Sequence, residues 1–505
     1  MRSLPVAAVG FVVWAGGMLA LRPGPGAVLL LLGPFVAVPL ALGLACPAGP
    51  HAPMRGRWRL ALLLCVPLAV PLLVSYSLPT GVAAAAWALP WLAYALLVAL
   101  LGVLHLLEHE LSPAPVATAA GLAYLSVGAF WLAVARWGAA VGGFGGDIPF
   151  LTAAHFHFAG LVVPVLAGTA ARALPGRWSS ATALALVFGM PLVAVGVTLQ
   201  VRGHVLPNAV AATLFAMAGL SLAGLHAALA SGGTAGGPGT TWQSRVLWAV
   251  SAVSLAAGML LAVLYATGLA GGPVVLTVPQ MVRTHAVLNV AGFAMPALLA
   301  WHAAPQPAPS PHCQLLLPGE RLRLADWRHR SDHAGTAARQ AADHEDHHEA
   351  VVGHEPPGPP LPDGPFARAA QAVHAYRVFP PRLLRPVLGQ APVETGDVVG
   401  AEVRLVPGLR AGFASRVTST FHGSDPSGGW RSGFTYRTLA GHPECGEETF
   451  CVRKDGSGVV RVSLTAWSRP GHWTSRAVSA WARRKQLAAG RAALAELQRH
   501  ARGRA

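Results

Sequence analysis

The sequence predicts an all-α polytopic membrane domain of about ten transmembrane helices, followed by a soluble α+β domain with an antiparallel sheet and a long C-terminal helix. Three observations predict it. Of 505 residues 53% are hydrophobic and only 11% charged, where a soluble protein carries roughly 25% charged residues. The acids are also segregated: Glu108, Glu110 and Asp147 are the three between Met1 and Pro318, and the other eighteen lie between Glu320 and Glu496. Finally, runs alternating between apolar and polar residues begin only after residue 372. A soluble body as long as the first part would need far more charge to cover its surface, so lipid is its solvent.

A span needs roughly 20 mostly apolar residues. Such runs occupy 5–21, 27–45, 60–78, 83–107, 115–135, 151–171, 181–199, 208–229, 246–269 and 283–302. Residues 1–21 read as a retained helix, because further apolar runs follow at once and no small-x-small cleavage signal precedes a soluble region. An even number of spans puts both termini on one side. Arg2, Arg55, Arg57, Arg59, Arg172, Arg177 and Arg245 then fall on the inner connections, against Arg22, Arg136, Arg202 and Arg283 on the outer ones. The positive-inside rule makes the termini cytoplasmic. The 35 Arg and two Lys suit a high-GC bacterial chain, hence a bacterial plasma membrane. The net charge of +16 comes partly from these span-end arginines, so it does not signal nucleic acid.

Polar groups at membrane depth are costly and often functional. One layer holds His155 and His157 in TAAHFHFAG, with Arg283, His285 and Asn289 in RTHAVLNVAGF. His285 and Asn289, four apart, share a helix face, whereas His155 and His157 point about 200° apart on a regular helix. One of that pair with His285, Asn289 and Arg283 would form a site; the bland alternative is hydrogen bonding in the headgroup zone. The opposite layer holds His105, Glu108 and His109 in HLLEH, with Glu110 beside them. HLLEH fits a zinc-hydrolase pattern and a proton-handling pair, but a solvated helix end is the better reading.

Residues 303–371 alternate prolines with the polar tract DHEDHHE and read as a Pro/His-rich disordered linker. His344, His347 and His348 there are loose metal-ligand candidates. Beyond 372, GAEVRLVPG, AGFASRVTSTF, GWRSGFTYRTLAG, EETFCVRKDG and GVVRVSLTAWS read as strands separated by Gly or Pro turns. A basic helix spans roughly 474–500. His442, Glu444, Glu447 and Glu448 crowd the turn of GHPECGEE, as a pocket mouth, a metal site, or a hairpin turn with hydrated carboxylates. Five cysteines form neither a metal spacing nor an even disulfide set.

The motifs HFHFAG and RTHxxLNxxGF resemble the YndJ-like family of bacterial membrane proteins, over about residues 1–305. YRVFPP, YRTLAGHPECGEETF and AWSRPGHW resemble a domain-of-unknown-function family, over about 372–500. The first resemblance implies a membrane location and a transporter label without a mechanism; the second implies a ligand-binding fold by analogy alone.

No P-loop, dinucleotide motif, nucleophile elbow or Cys-x-x-Cys pair appears, no catalytic residue is assigned, and an enzyme is the weaker reading. The expected function is therefore a multi-pass transporter of a small solute with an appended cytoplasmic domain that takes a small or hydrophobic ligand. The alternatives are a His-ligated haem, copper or zinc redox protein and a membrane-anchored lipid- or ligand-sensing scaffold. No cofactor is expected, and the bilayer is the first partner.

Overall fold

The structure is a computed structural model that describes residues 3–45, 56–232, 240–273, 276–304, 313–333, 342–425 and 428–503. Arg2 and Arg55 of the positive-inside set lie outside them. The chain forms two compact units, Met1–Leu106 with Leu111–Pro309, and Leu107–Glu110 with Ser310–Ala505.

Among the described residues ten helices are long and apolar enough to cross a membrane: α1 Ser3–Leu21, α2 Pro25–Ala45, α3 Gly56–Ser77, α4 Val82–Glu108, α5 Pro113–Trp137, α6 Ile148–Ala173, α7 Arg177–Val201, α8 Val205–Ala230, α9 Trp242–Gly268 and α10 Val278–Ala303. These agree with the expected spans to within a few residues at most ends. They are apolar all round, as helices in lipid must be. Val12, Leu19, Phe188 and Val253 leave 66–77% of their surface exposed on the outside of the unit, where water would penalise them and acyl chains do not. Prolines inside helices (Pro67 and Pro71 in α3, Pro90 in α4, Pro191 in α7) are tolerated because neighbouring helices steady the freed backbone.

Asp147, exposed at the start of α6, and Glu108, closing α4, are the acids at the ends of these helices. Three of the arginines find counter-charge on backbone carbonyls instead. Arg136 donates to the Ser75 and Leu78 carbonyls at 2.8 and 2.7 Å, at the C-terminal end of α3. Arg245 reaches the Ala230 and Ser231 carbonyls closing α8, at 2.9 and 3.1 Å. Arg172 bonds the Leu44 carbonyl near the end of α2 at 3.3 Å and the Thr169 hydroxyl at 3.1 Å. The last carbonyls of a helix lack intrahelical donors and carry the negative end of its dipole, so a guanidinium satisfies both.

The second unit is built on an antiparallel half-barrel sheet. Its strands are β1 Gln314–Leu316, β2 His344–His354, β3 Leu384–Val387, β4 Val398–Val406, β5 Leu409–Ser424, β6 Trp430–Thr438, β7 Glu444–Lys454 and β8 Val459–Pro470. They run in the order β2-β8-β7-β6-β5-β4-β3, with β1 paired to β5. Helices α11 (Pro365–His374) and α13 (Ser479–Ala501) pack on one face, over Phe434, Phe450, Val452, Val462 and Leu464. A short helix α12 (Trp473–Ala477) precedes α13.

The expectation of a disordered linker over 303–371 is corrected for its described residues from 342 on; residues 305–312 and 334–341 lie outside the described ones. DHEDHHE opens β2, an edge strand registered against β8 from His344↔Ser468 to His354↔Val459. Charge on an edge strand discourages pairing with other chains, which is why this strand looks like a solvated tract in sequence. Its histidines alternate faces and do not converge: His347 bonds the Thr465 hydroxyl at 3.1 Å, while the His348 ring lies where any Cβ on Gly490 of α13 would come within 2.5 Å. The loop after β2 is fastened by a fully buried ion pair, Lys454 Nζ to Glu355 Oε2 at 3.2 Å. Glu355 also accepts the Leu361 and Phe366 backbone N–H groups, at 3.1 and 2.8 Å, and so holds the start of α11.

Candidate functional site

Among the described residues of the first unit, three spans leave α-helical geometry. The stretches Gly33–Ala37 of α2, Phe156–Val162 of α6, and Val282–Ala286 with Leu288–Ala294 of α10 are π-helical. Those of α2 and α6 touch, as do those of α6 and α10. Local π geometry widens a helix and recurs at functional sites. His157 sits at this junction with none of its surface exposed. Its Nδ1 lies 2.8 Å from the Ala153 carbonyl, so Nδ1 carries the proton and Nε2 accepts the Trp91 indole N–H at 3.0 Å. Gly128 and Gly33 make room for the ring: a Cβ on Gly128 would stand 2.9 Å from Nδ1, and one on Gly33 3.4 Å from the His157 Cβ.

The paired histidines separate as expected. His155 is exposed and bonds back to the Leu151 carbonyl of its own helix at 2.8 Å. His285 and Asn289 do meet on one face of α10, against α9. His285 Nδ1 donates to the Gly258 carbonyl at 2.8 Å, and the Asn289 amide donates to the His285 carbonyl at 2.7 Å. Arg283 points away and is exposed. Of the expected set, His285 and Asn289 bond each other, His155 stands close enough to His285 to act on it electrostatically, and His157 meets Trp91 instead. Only its place in an apolar run hid Trp91.

At the end of α4 the helix stops at Glu108, so His109 leaves the face that an H-x-x-E-H metal site requires. His105, Glu108 and His109 are all buried, which corrects the expectation of a solvated helix end. His105 packs edge-on against Trp58, 6.2 Å between ring centres. Within the second unit, Glu108 accepts the Leu315 backbone N–H at 2.7 Å, and the His109 carbonyl accepts the Trp473 indole N–H at 2.9 Å. No group of three or more His, Cys, Asp or Glu among the described residues is placed to hold a metal.

In the second unit strand alternation sorts the GHPECGEE residues. Glu447 faces one way and pairs with Arg437 at 2.7 Å. Glu448 faces the other, where the Tyr436 hydroxyl donates to its Oε2 at 2.5 Å. Burial pushes the Glu448 carboxyl up to about 7, against the opposing pull of that hydrogen bond. Glu444, on the same face, is also pushed up to about 7 by burial and then by Asp343. Burial drives His442 down to about 3; neutral, its Nδ1 takes the Glu444 N–H at 3.0 Å and fastens the turn. His442 is thereby a structural residue.

Tyr376 completes the polar row and was not singled out as a site residue from sequence, although it opens YRVFPP. It stands just past α11 with φ +51°, a left-handed position normally given to glycine. Its N–H bonds the Val373 carbonyl and that of Arg377 the Ala372 carbonyl, both at 2.8 Å, closing a Schellman turn. This conformation costs on the order of 1 kcal/mol for a residue with a Cβ. It places the ring 3% exposed against Phe434, Tyr436 and Phe450. Across from Glu448 and Glu444, Asp346 of β2 is paired with Arg483 of α13, whose guanidinium holds that carboxyl below its ordinary range.

These features define a multi-pass membrane protein with an appended antiparallel half-barrel domain. The chain belongs to the YndJ-like protein family, whose model matches residues 28–293. Residues 332–496 match the model of a domain of unknown function, DUF1990, whose start falls inside the stretch expected as linker. The chain is 30% identical over 221 residues to the uncharacterized membrane protein YndJ of Bacillus subtilis, covering 43% of this chain and 38% of that protein. It is 27% identical over 118 residues to a UPF0548 protein of Dictyostelium discoideum, covering 22% of this chain and 54% of that one. The chain therefore spans well under two thirds of either relative. No solved structure matches.

Proposed function

We propose that the first unit carries a small uncharged or anionic solute across the bacterial plasma membrane, with both termini cytoplasmic, through the junction of π-helical stretches in α2, α6 and α10. The observation that carries this reading is the meeting of three non-α segments around buried His157. Secondary carriers bind solutes where spanning helices are broken, because freed backbone groups and interior side chains are available there. The solute class follows from charge. Glu108, Glu110 and Asp147, the acids of the ten spans and the turns between them, stand at or just beyond helix ends, so the junction around His157 offers a cation no carboxylate. A His-ligated haem or copper gains no support at His157, since both ring nitrogens are already engaged.

The test is re-swelling of proteoliposomes after osmotic shock, in uncharged polyols and in salts of small carboxylic acids. At least one solute should enter faster than in protein-free vesicles, and His157→Ala and Asn289→Ala should slow it. Re-swelling indistinguishable from empty vesicles for both classes sinks the reading.

A second reading concerns the tail domain, which we take to bind a small ligand over Tyr376, Tyr436 and Glu448. The strained Tyr376 supports it, because backbone strain persists where a side chain must be held in place. Native mass spectrometry of the whole protein should show a co-purifying molecule that Tyr376→Phe releases. Identical spectra would count against it.

A further inference from the structure

The exposed side of α13 carries a pattern unlike the rest of the second unit. Trp481 and Val478 leave 46% and 48% of their surface exposed. On the same side, one to three turns along, stand Arg484, Lys485 and Arg491, all exposed. Among the described residues no carboxylate lies within ion-pair distance of these three, whereas Arg483, one position round the helix, is held by Asp346. The Lys485 ammonium lies 5.5 Å from the centre of the Trp481 ring. The opposite side of the helix is accounted for: Ala493, Leu497 and Ala501 are buried on the sheet.

We propose that this stripe is a docking surface for an anionic lipid surface. A solvated basic face would not need the exposed Trp and Val. Indole rings favour the headgroup level, and unpaired Arg and Lys next to them are attracted by acidic lipids. The same chain continues into a unit with ten helices long and apolar enough to span, so a bilayer is covalently tethered to this domain at high effective concentration. That tether decides for lipid over nucleic acid, the other polyanion a basic stripe can meet.

The test uses the full-length protein in nanodiscs, with a nitroxide on Ala488→Cys, one turn beyond Arg484. Cys46 and Cys451 are replaced by Ser, since the remaining cysteines, Cys65, Cys313 and Cys445, are buried. Discs of phosphatidylcholine are compared with discs in which a quarter of the lipid is phosphatidylglycerol. Acidic lipid should lower accessibility to a water-soluble nickel quencher by about three-fold, and high ionic strength should reverse most of it. The surface variant Arg484→Gln/Lys485→Gln/Arg491→Gln, which touches nothing buried, should abolish the lipid response. Trp481→Ser should keep the salt-sensitive part and lose the remainder. Equal accessibility in the two discs overturns the proposal. So does a probe that responds to added duplex DNA and not to acidic lipid.

Discussion

The two units lean on different partners for arginine, although Arg368 of the tail repeats the helix-end device on the Ala501 carbonyl that closes α13. In the membrane unit Arg136, Arg172 and Arg245 rest on carbonyls at the ends of α3, α2 and α8. In the tail domain Arg410, Arg416, Arg437, Arg453 and Arg483 rest on carboxylates. The difference comes from the solvent each unit is built for. A carboxylate inside lipid costs more than the ion pair returns. The helix end supplies a fixed partial charge that is already there and needs satisfying. In water carboxylates are affordable, and the sheet places them opposite arginines by register, as Glu447 opposite Arg437.

The sharpest way to break this contrast is at Lys454–Glu355, a tail ion pair with no exposed side-chain surface. Glu355→Ala leaves Lys454 charged and unpaired in the core and should cost the tail domain about 3–5 kcal/mol. Chemical unfolding followed by amide exchange in β8 would read it, and the pair replacement Glu355→Gln/Lys454→Met should recover most of the loss. A cost below that of an ordinary surface change would show that the pair is not truly desolvated.

Next in size, Arg136→Ala should destabilise the membrane unit by roughly 1–3 kcal/mol, the scale of charged hydrogen bonds lost at a helix end. Arg437→Ala in the tail should cost about 1 kcal/mol or less. High salt should shrink the second cost more than the first, because mobile ions screen a pair of full charges more than a half-buried guanidinium set among carbonyls. Equal salt sensitivity would erase the distinction between the units.

The tail domain should also carry a readable pH dependence. Glu444 and Glu448 ionise near 7 in the fold against an ordinary 4.5, so the native state binds protons that the unfolded chain has released. Their contribution is complete below about 4.5 and is lost as pH rises to about 7. His442 runs the other way: its proton affinity is lowered from 6.5 to about 3, so its stabilisation is lost as pH falls through that interval. His333, His374, His472 and His500 are lowered by burial as well, so five imidazoles oppose the two carboxyls across this window, and a difference between variants isolates the carboxyl share. Urea titrations should show Glu448→Gln gaining stability relative to the parent protein as pH rises from 5 to 7; a difference that does not change with pH would mean that Glu448 is ordinarily hydrated.

The smallest expected effect tests the division of the paired histidines. His155→Ala, on an exposed ring bonded to its own helix, should change stability by less than about 0.5 kcal/mol. His157→Ala removes a buried bond to Trp91 and should cost several times as much. Thermal melts in detergent would separate the two.

Much of the fold was legible in the sequence. The run expected at 83–107 is Val82–Glu108, and the strand read at 411–421 is Leu409–Ser424. Long apolar runs and strict alternation are local signals, and burial in lipid or on one sheet face enforces them directly. The edge strand β2 escaped because its residues are as polar as a linker, and only pairing with β8 makes them a strand. Of the candidate residues, His157 is buried, and His285, Asn289, Glu444 and Glu448 are half-buried. Trp91, Tyr376, Tyr436 and Arg483 were not singled out, because each owes its role to a partner distant in sequence.

By itself, then, the sequence determined which part of the chain lives in lipid and which in water, since that depends only on where apolar and acidic residues are placed along it. The tertiary structure alone decided which histidine is buried, where three spans depart from α-helix together, and which glutamate turns inward to meet a tyrosine. Those outcomes depend on contacts between residues tens to hundreds of positions apart, and no local pattern of residues encodes them.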